Sequence, residues 1–257
     1  MAILEIKNVS KDFDGVKALD NLSFDLREDQ ITALVGPNGA GKTTLFNVIT
    51  GFQETDSGTV VYKSAPLTHL APHKISRMGI ARTFQNIRLF SHLTVLENLM
   101  LARKYETGER LSSALLRSRK MLNEEKINQQ RTIELLEEVG LSHKKDALGN
   151  ELSHGQRRLI EFARVKAMDA QLLLLDEPTA GVFPEMIAAI KKMILNLKEM
   201  GKTVLFIEHD MKVVMDIADR VIVLNHGKVI ADGSPMEIQN NEEVITAYLG
   251  RRRNNVS

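Results

Sequence analysis

The sequence predicts an α/β fold: a core of parallel strands and helices, an antiparallel β section near its front, and a helical section inserted behind that. Three observations carry this. An apolar run, Ile31–Val35, leads through Gly36-Pro37-Asn38-Gly39-Ala40-Gly41-Lys42-Thr43 into a helix start at Thr44-Leu45-Phe46-Asn47. Apolar and polar residues alternate at period two through much of the first 62 residues. Short apolar runs alternate with helical stripes after residue 170.

Taken in order, Ile3, Ile6 and Val9 mark a strand over residues 3–9, and Asp12 to Gly15 reads as a turn. Leu22, Phe24 and Leu26 mark the next strand, and Thr59 to Tyr62 a third after a turn at 55–58. The character changes near residue 88. Val95 to Arg103 and roughly 120–139 have helical composition, the second closed by Gly140. Tyr105 to Leu122 is basic, with Leu111, Leu115 and Leu116 interspersed, and reads as a partner-facing amphipathic helix or as a solvated segment. Leu172–Leu175 suits a buried parallel strand. Met186, Ile190, Met193, Ile194 and Leu197 form one helical stripe. Residues 203–207 read as a strand, followed by a helix bearing Val213, Val214 and Ile217. Asn225-His226-Gly227 joins two strands as a hairpin, and Arg251-Arg252-Arg253 opens a frayed tail.

The segment Gly36–Thr43 fits G-x-x-x-x-G-K-[ST] at every position and has the strand–loop–helix setting that gives the pattern a mechanism. Glycines let the backbone curl so that its N–H groups point into one concavity, an anion cradle. The helix N-terminus adds partial positive charge there. Lys42 supplies a full charge for β- and γ-phosphates, and Thr43 a hydroxyl for Mg²⁺. Asp176-Glu177 ends a core strand, so that Asp176 can hold Mg²⁺ and Glu177 can polarise a water for attack on the γ-phosphate. His209 follows the strand at 203–207, within reach of a γ-phosphate or the attacking water. Gln85 ends a short strand, where its amide can complete the Mg²⁺ shell. Ser153 and Gln156 are spaced as a capping box, which makes Leu152–Gln156 an ordinary helix start or a second anion-binding helix tip.

The totals bound the setting. The 257 residues suffice for one large domain or a domain with an insertion. A net charge of +1 gives no global argument for nucleic acid. There is no cysteine, hence no disulfide and no thiolate metal site. No apolar run approaches the ~20 residues of a membrane span, and the first residues lack a signal-peptide layout. The chain is expected to be soluble, with any membrane role exerted through a partner.

The ordered set Gly36–Thr43, Gln85, Leu152–Gln156, Leu172–Glu177 and His209 resembles the ATP-binding subunits of ABC transporters. The resemblance implies a P-loop NTPase (RecA-like) core with a parallel sheet, an antiparallel β subdomain and an inserted α-helical subdomain. It implies one ABC ATPase domain: core and β subdomain at 1–87 and 161–237, helical subdomain at 88–160, C-terminal helix and tail at 238–257. It further implies ATP and Mg²⁺ as ligands and a head-to-tail pair, each ATP lying between Gly36–Thr43 of one copy and Ser153, Gly155 and Gln156 of the other. Phe13 takes the adenine-stacking place, with Val16 beside it. The nucleotide-binding set is Phe13, Val16, Gly36, Pro37, Asn38, Gly39, Ala40, Gly41, Lys42, Thr43, Thr44, Gln85, Ser153, Gly155 and Gln156. Glu177, His209 and Lys42 are catalytic; Thr43, Gln85 and Asp176 hold the metal.

A narrower pattern, Arg77 to Asn86, then Leu89-Phe90 and Leu93 to Asn98, together with the stretch 103–125 and the ending Val244 to Gly250, is similar to branched-chain amino-acid importers. This implies an ATP-hydrolysing subunit on the cytoplasmic face of the membrane. Its partners are a second ATPase subunit, integral membrane permeases and, indirectly, a solute-binding protein. An ATPase for urea or amide uptake or for lipopolysaccharide export, a soluble ABC ATPase outside transport, and an inert ATP-holding module are the alternatives. Three positions depart from the family pattern. His154 stands where Gly or Tyr is usual, and Phe183 where Asn or Asp makes hydrogen bonds across the dimer, which predicts weaker coupling of the two ATP sites. Lys166 falls on a helical face expected to be buried, so its ammonium is expected to snorkel to the surface and Lys166→Leu to stabilise the fold.

Overall fold

The computed structural model describes residues 1–84, 89–103 and 119–249, with only the backbone described at 119, 120 and 249. Gln85, most of the basic stretch and the arginine tail lie outside the described residues. The chain divides into two compact units. One comprises Met1–Arg82, Ala170–Thr179 and Lys191–Ser257; the other comprises Thr83–Asp169 and Ala180–Ile190, and so encloses the section 88–160 expected to be helical.

The first unit holds two sheets. Strands β1 (Ala2–Phe13), β2 (Val16–Arg27), β4 (Ser57–Tyr62) and β5 (Ala65–Pro66) form the antiparallel one, in the order β2-β1-β4-β5. The first two strands run longer than alternation suggested. Register shifts between Ile6, Val9, Lys11 and Asp12 break the period while the pairing continues out to Phe13 opposite Val16. The turn is therefore shorter than 12–15, and Asp12 belongs to the strand, its carboxylate accepting from the Gly15 N–H at 2.7 Å.

The second sheet of this unit contains β3 (Ile31–Val35), β6 (Ile80–Arg82), β7 (Leu172–Asp176), β8 (Thr203–Ile207), β9 (Arg220–Asn225) and β10 (Lys228–Gly233), in the order β10-β9-β3-β8-β7-β6. All pairings are parallel except the β9–β10 hairpin, which turns on His226 and Gly227, both at positive φ. Every residue of β3, β7 and β8 is buried, as near-continuous aliphatic runs in a parallel sheet require. Full burial of each such side chain is worth about 1.5–3 kcal/mol. Because the strands are parallel, the C-terminal ends of β3, β7 and β8 all open on one edge of the sheet. Helices α1 (Lys42–Ile49) and α2 (Pro72–Arg77) also belong to this unit.

The second unit contains α3 (Val95–Met100), α4 (Arg119–Glu138) and α5 (His154–Ala167). Thr94 and Glu97 close a capping box at the start of α3. Asn98 is fully buried; its amide donates to the carbonyls of Phe90, Leu93 and Thr94 and accepts from the Phe90 N–H, bracing the loop before the helix. At the end of α4 the Gly140 N–H reaches the Glu137 carbonyl and the Leu141 N–H the Leu136 carbonyl, the paired bonds of a Schellman cap. Lys166 does not stand alone at the surface: its ammonium lies 2.6 Å from both carboxylate oxygens of Glu138. Helix α6 (Pro184–Glu199) starts in this unit and ends in the first, where α7 (Met211–Ile217), α8 (Pro235–Gln239) and α9 (Glu242–Leu249) complete the chain.

Candidate functional site

The loop that follows β3 is shaped by contacts only glycine allows. Gly36 and Gly41 both sit at positive φ; a Cβ on Gly36 would lie 2.1 Å from the Leu224 carbonyl oxygen, and one on Gly41 2.3 Å from that of Ala18. The Ala40 carbonyl accepts from the Gly227 N–H, so the β9–β10 hairpin holds the loop from behind. Gly41 occupies the N-cap of α1 in a left-handed conformation with no side-chain cap. The Lys42 ammonium is buried and donates to the carbonyls of Gly36 (2.7 Å) and Pro37 (3.0 Å). Thr43 is exposed beside it. The loop thus gathers its own backbone around the Lys42 ammonium at the start of α1.

At the same edge of the sheet, Asp176 ends β7 and is buried, while Glu177 follows at φ +48°. This left-handed conformation costs an L-residue about 1–2 kcal/mol. It is held by the Glu177 N–H bonding to the Ile207 carbonyl at 3.0 Å. Glu177 Oε1 lies 2.9 Å from His209 Nε2, with the His side chain 43% and the Glu side chain 18% exposed. An acid and an imidazole in contact at a half-open strand edge can pass a proton to and from a water placed there.

The group that sets this geometry was not singled out by sequence. Glu208 is buried; one carboxylate oxygen accepts from the Thr179 N–H (3.0 Å) and the Thr179 hydroxyl, the other from the His209 N–H (2.8 Å). It staples the turn after Glu177 to the end of β8, and so fixes Glu177 and His209 relative to each other. Arg82 was missed as well. Its guanidinium donates to Asp176 Oδ2 (3.1 Å), Asn47 Oδ1 (2.7 Å) and the Thr50 hydroxyl (3.2 Å). Burial pushes up the phenol of Tyr248, on α9. The only local hint of these roles is a charged or polar residue at the last turn of a strand or helix.

Phe13 and Val16 face each other across the β1–β2 hairpin, 43% and 70% exposed, and the Lys11 ammonium stands 5.4 Å from the Phe13 ring centre. An aromatic ring offered to solvent at a hairpin end is free to stack.

No group of three or more His, Cys, Asp or Glu side chains able to hold a metal occurs among the described residues. One buried carboxylate, Asp176, and one exposed hydroxyl, Thr43, fit an ion that takes its other ligands from phosphate and water, the habit of Mg²⁺.

In the second unit, Ser153 caps α5: its hydroxyl accepts from the Gln156 N–H (3.3 Å) and the Gln156 side chain accepts from the Ser153 N–H (3.0 Å). A Cβ on Gly155 would lie 2.4 Å from Met186 Sδ, and one on Gly181 3.1 Å from the His154 ring, so His154 packs over Gly181. Phe183 precedes the first residue of α6 and is 74% exposed.

A family model described as ABC transporter matches residues 19–180, and one described as branched-chain amino acid ATP-binding cassette transporter matches residues 228–253. The chain is 40% identical to the high-affinity branched-chain amino acid transport ATP-binding protein LivG of Salmonella typhimurium, over 96% of this chain and 98% of that one. It is 36% identical to the lipopolysaccharide export system ATP-binding protein LptB of Haemophilus influenzae, over 98% and 99%. Among solved structures, the ADP conformation of an ATP-binding cassette of an ABC transporter superposes with a TM-score of 0.83 at 35% identity, covering 97% of this chain and 99% of that one. A dimeric post-hydrolysis cassette bound to ADP and phosphate gives 0.75 at 25% identity, covering 90% and 98%. With the phosphate-type loop, the paired acid and imidazole and the capped helix tip already in place, these matches identify the chain as an ATP-binding subunit of the ABC transporter family.

Proposed function

We propose that the chain hydrolyses ATP to ADP and phosphate and drives uptake of branched-chain amino acids through a membrane permease. The observation that carries the hydrolytic reading is the 2.9 Å contact between Glu177 and His209 at the strand edge where the Gly36–Thr43 loop also ends its strand. In this reading the loop's N–H groups and Lys42 bind the phosphates, and Phe13, with Val16 beside it, stacks on adenine. Thr44 and the loop residues Pro37, Asn38 and Ala40 line the same bend. Thr43 and Asp176, with Gln85 as a further ligand, would hold Mg²⁺, which when bound would offset the charge of the phosphates. Glu177 takes the proton of the attacking water, and His209 orients Glu177 and the γ-phosphate.

The dimeric relative supports a second copy of this chain as partner, its Ser153, Gly155 and Gln156 closing on the nucleotide. Phe183 cannot accept a hydrogen bond from that copy, and this predicts weak coupling of the two sites; Phe183→Asn raises the cooperativity of hydrolysis. The transport ATP-binding relatives support a peripheral subunit docked on permeases at the cytoplasmic face; no helix among the described residues is long and apolar enough to cross a membrane. The match of residues 228–253 favours branched-chain amino acids over lipopolysaccharide.

The test is ATP turnover by wild type and Glu177→Gln. A drop of about 10²–10⁴ is expected from loss of the base, with ATP still bound; equal rates would leave only an inert ATP holder. Permeases recovered with the chain from membranes then decide between uptake and lipopolysaccharide export.

A further inference from the structure

Four contacts fix the Arg82 guanidinium. Its NH1 nitrogen bonds Asn47 Oδ1 and the Thr50 hydroxyl, its NH2 nitrogen bonds Asp176 Oδ2, and its central carbon stands 5.4 Å from the centre of the Phe46 ring. The arginine and aspartate side chains are 6% and 4% exposed. Phe46 and Asn47 belong to α1, the helix whose first two residues are Lys42 and Thr43, and Thr50 is its C-cap. The fourth ends β7. The planar fork of an arginine suits such a joint, since its donors are rigidly spaced and stay charged.

We propose that Arg82 is a positioning residue for the metal: it sets the Asp176 carboxylate against α1, and therefore against Thr43. The proposal rests on the reading of Asp176 and Thr43 as partners of Mg²⁺. With Oδ2 tied to the guanidinium, rotation of the carboxylate is restrained, and Mg²⁺ demands near-ideal octahedral placement of its ligands. Asn47 lies one turn along α1 from Thr43 and Thr50 caps the helix, so they anchor Arg82 to the helix that carries the other ligand. The role is absent from the sequence pattern, because nothing near Arg82 in the chain marks it as facing Asp176.

The test uses the full chain and a fluorescent, non-hydrolysable ATP analogue, titrated with MgCl₂ and separately in EDTA. Arg82→Gln is expected to raise the Mg²⁺ concentration at half-maximal binding by about 10- to 100-fold, the usual cost of removing a partner of a metal-binding carboxylate. Affinity in EDTA stays at the wild-type value. Arg82→Lys keeps the charge without the fork and falls between. Asn47→Ala, which removes one anchor and leaves Arg82 in place, moves the midpoint in the same direction by less. The inference is overturned by folded Arg82→Gln with a wild-type Mg²⁺ midpoint, or with affinity lost equally in both media. Should Arg82→Gln not fold, a wild-type midpoint in Asn47→Ala overturns it. A wild type that binds alike with and without Mg²⁺ sinks the reading of Asp176 and Thr43, and the inference with it.

Discussion

Among the described residues each compact unit holds a buried arginine–carboxylate pair, and the two are built differently. Arg82 meets Asp176, 94 positions away in the sequence, and also donates to the side chains of Asn47 on α1 and of Thr50 at its C-cap. Arg158 meets Glu161, one turn along the same helix, at 2.9 Å. Arg158 also donates to the Phe84 carbonyl, while Glu161 accepts from the Phe84 N–H. The first pair joins separate elements and aims a carboxylate at an open edge of the sheet. The second grips the backbone of one residue and aims nothing. Equal burial therefore does not mean equal work: what distinguishes the two is whether the pair joins separate elements or braces one stretch of backbone. The two grips fall on residues only two apart, on either side of Thr83, directly before Gln85.

The largest test of this contrast is Arg158→Leu. It removes the cation hydrogen-bonded to Glu161 and leaves the buried carboxylate with Arg164 as a neighbouring charge, a loss of at most about 3–5 kcal/mol for a pair of this kind. Denaturant unfolding should show that loss, while the Mg²⁺ midpoint for nucleotide binding stays at the wild-type value. A stable Arg158→Leu with an altered Mg²⁺ requirement would erase the distinction between a pair that holds backbone and a pair that holds a ligand.

A smaller effect attends a more exposed pair, Lys166 with Glu138, whose side chains are 19% and 33% exposed. The ion pair reverses the expectation that Lys166→Leu stabilises. With solvent screening, such a pair is worth about 0.2–1 kcal/mol. Lys166→Leu is expected to lower stability by that amount, and Glu138→Gln to lower it similarly; the double variant should lose less than the sum. A rise in melting temperature for Lys166→Leu would restore the original expectation.

These pairs also mark how far the sequence could be read. The Gly36–Thr43 cradle, the Asp176-Glu177 strand end and the Ser153–Gln156 cap were legible because their chemistry is local, complete within a few residues. The parallel core was legible because strands buried on both faces must be aliphatic throughout, as Leu172–Leu175 is. Arg82, Glu208 and Lys166 were not, because each acquires its meaning from a partner 28 or more positions away. A charged residue at such a place reads as a solvated one until the fold supplies the counter-group. The ends of β1 and β2 were lost for another reason: bulges interrupt the period-two signal while the hydrogen bonding goes on.

The smallest expected effect compares three helix starts. Thr94 with Glu97, Ser234 with Glu237, and Ser153 with Gln156 all form capping boxes, the first and third in the second unit and the middle one in the first. The Thr94 N–H, and then its hydroxyl, hold the Glu97 carboxyl below its ordinary value, and the Ser234 N–H and hydroxyl do the same for Glu237. A carboxylate whose pKa is depressed on folding contributes stability above its unfolded value and loses it as pH falls through the folded one. Acidification below the ordinary carboxylate range should therefore loosen the starts of α3 and α8. Gln156 has no proton to gain, so the start of α5 should hold over the same range. Amide exchange at residues 94–97, 234–237 and 153–156, followed as pH is lowered and corrected for intrinsic rates, reads this directly. Substituting Gln for Glu97 should remove the pH dependence at α3 alone. If the helix tip that begins with Ser153 loosened in step with the other two, its rigidity would depend on titrating groups elsewhere rather than on the Ser153–Gln156 bonds, and the tip would be a less secure surface for closing on a nucleotide.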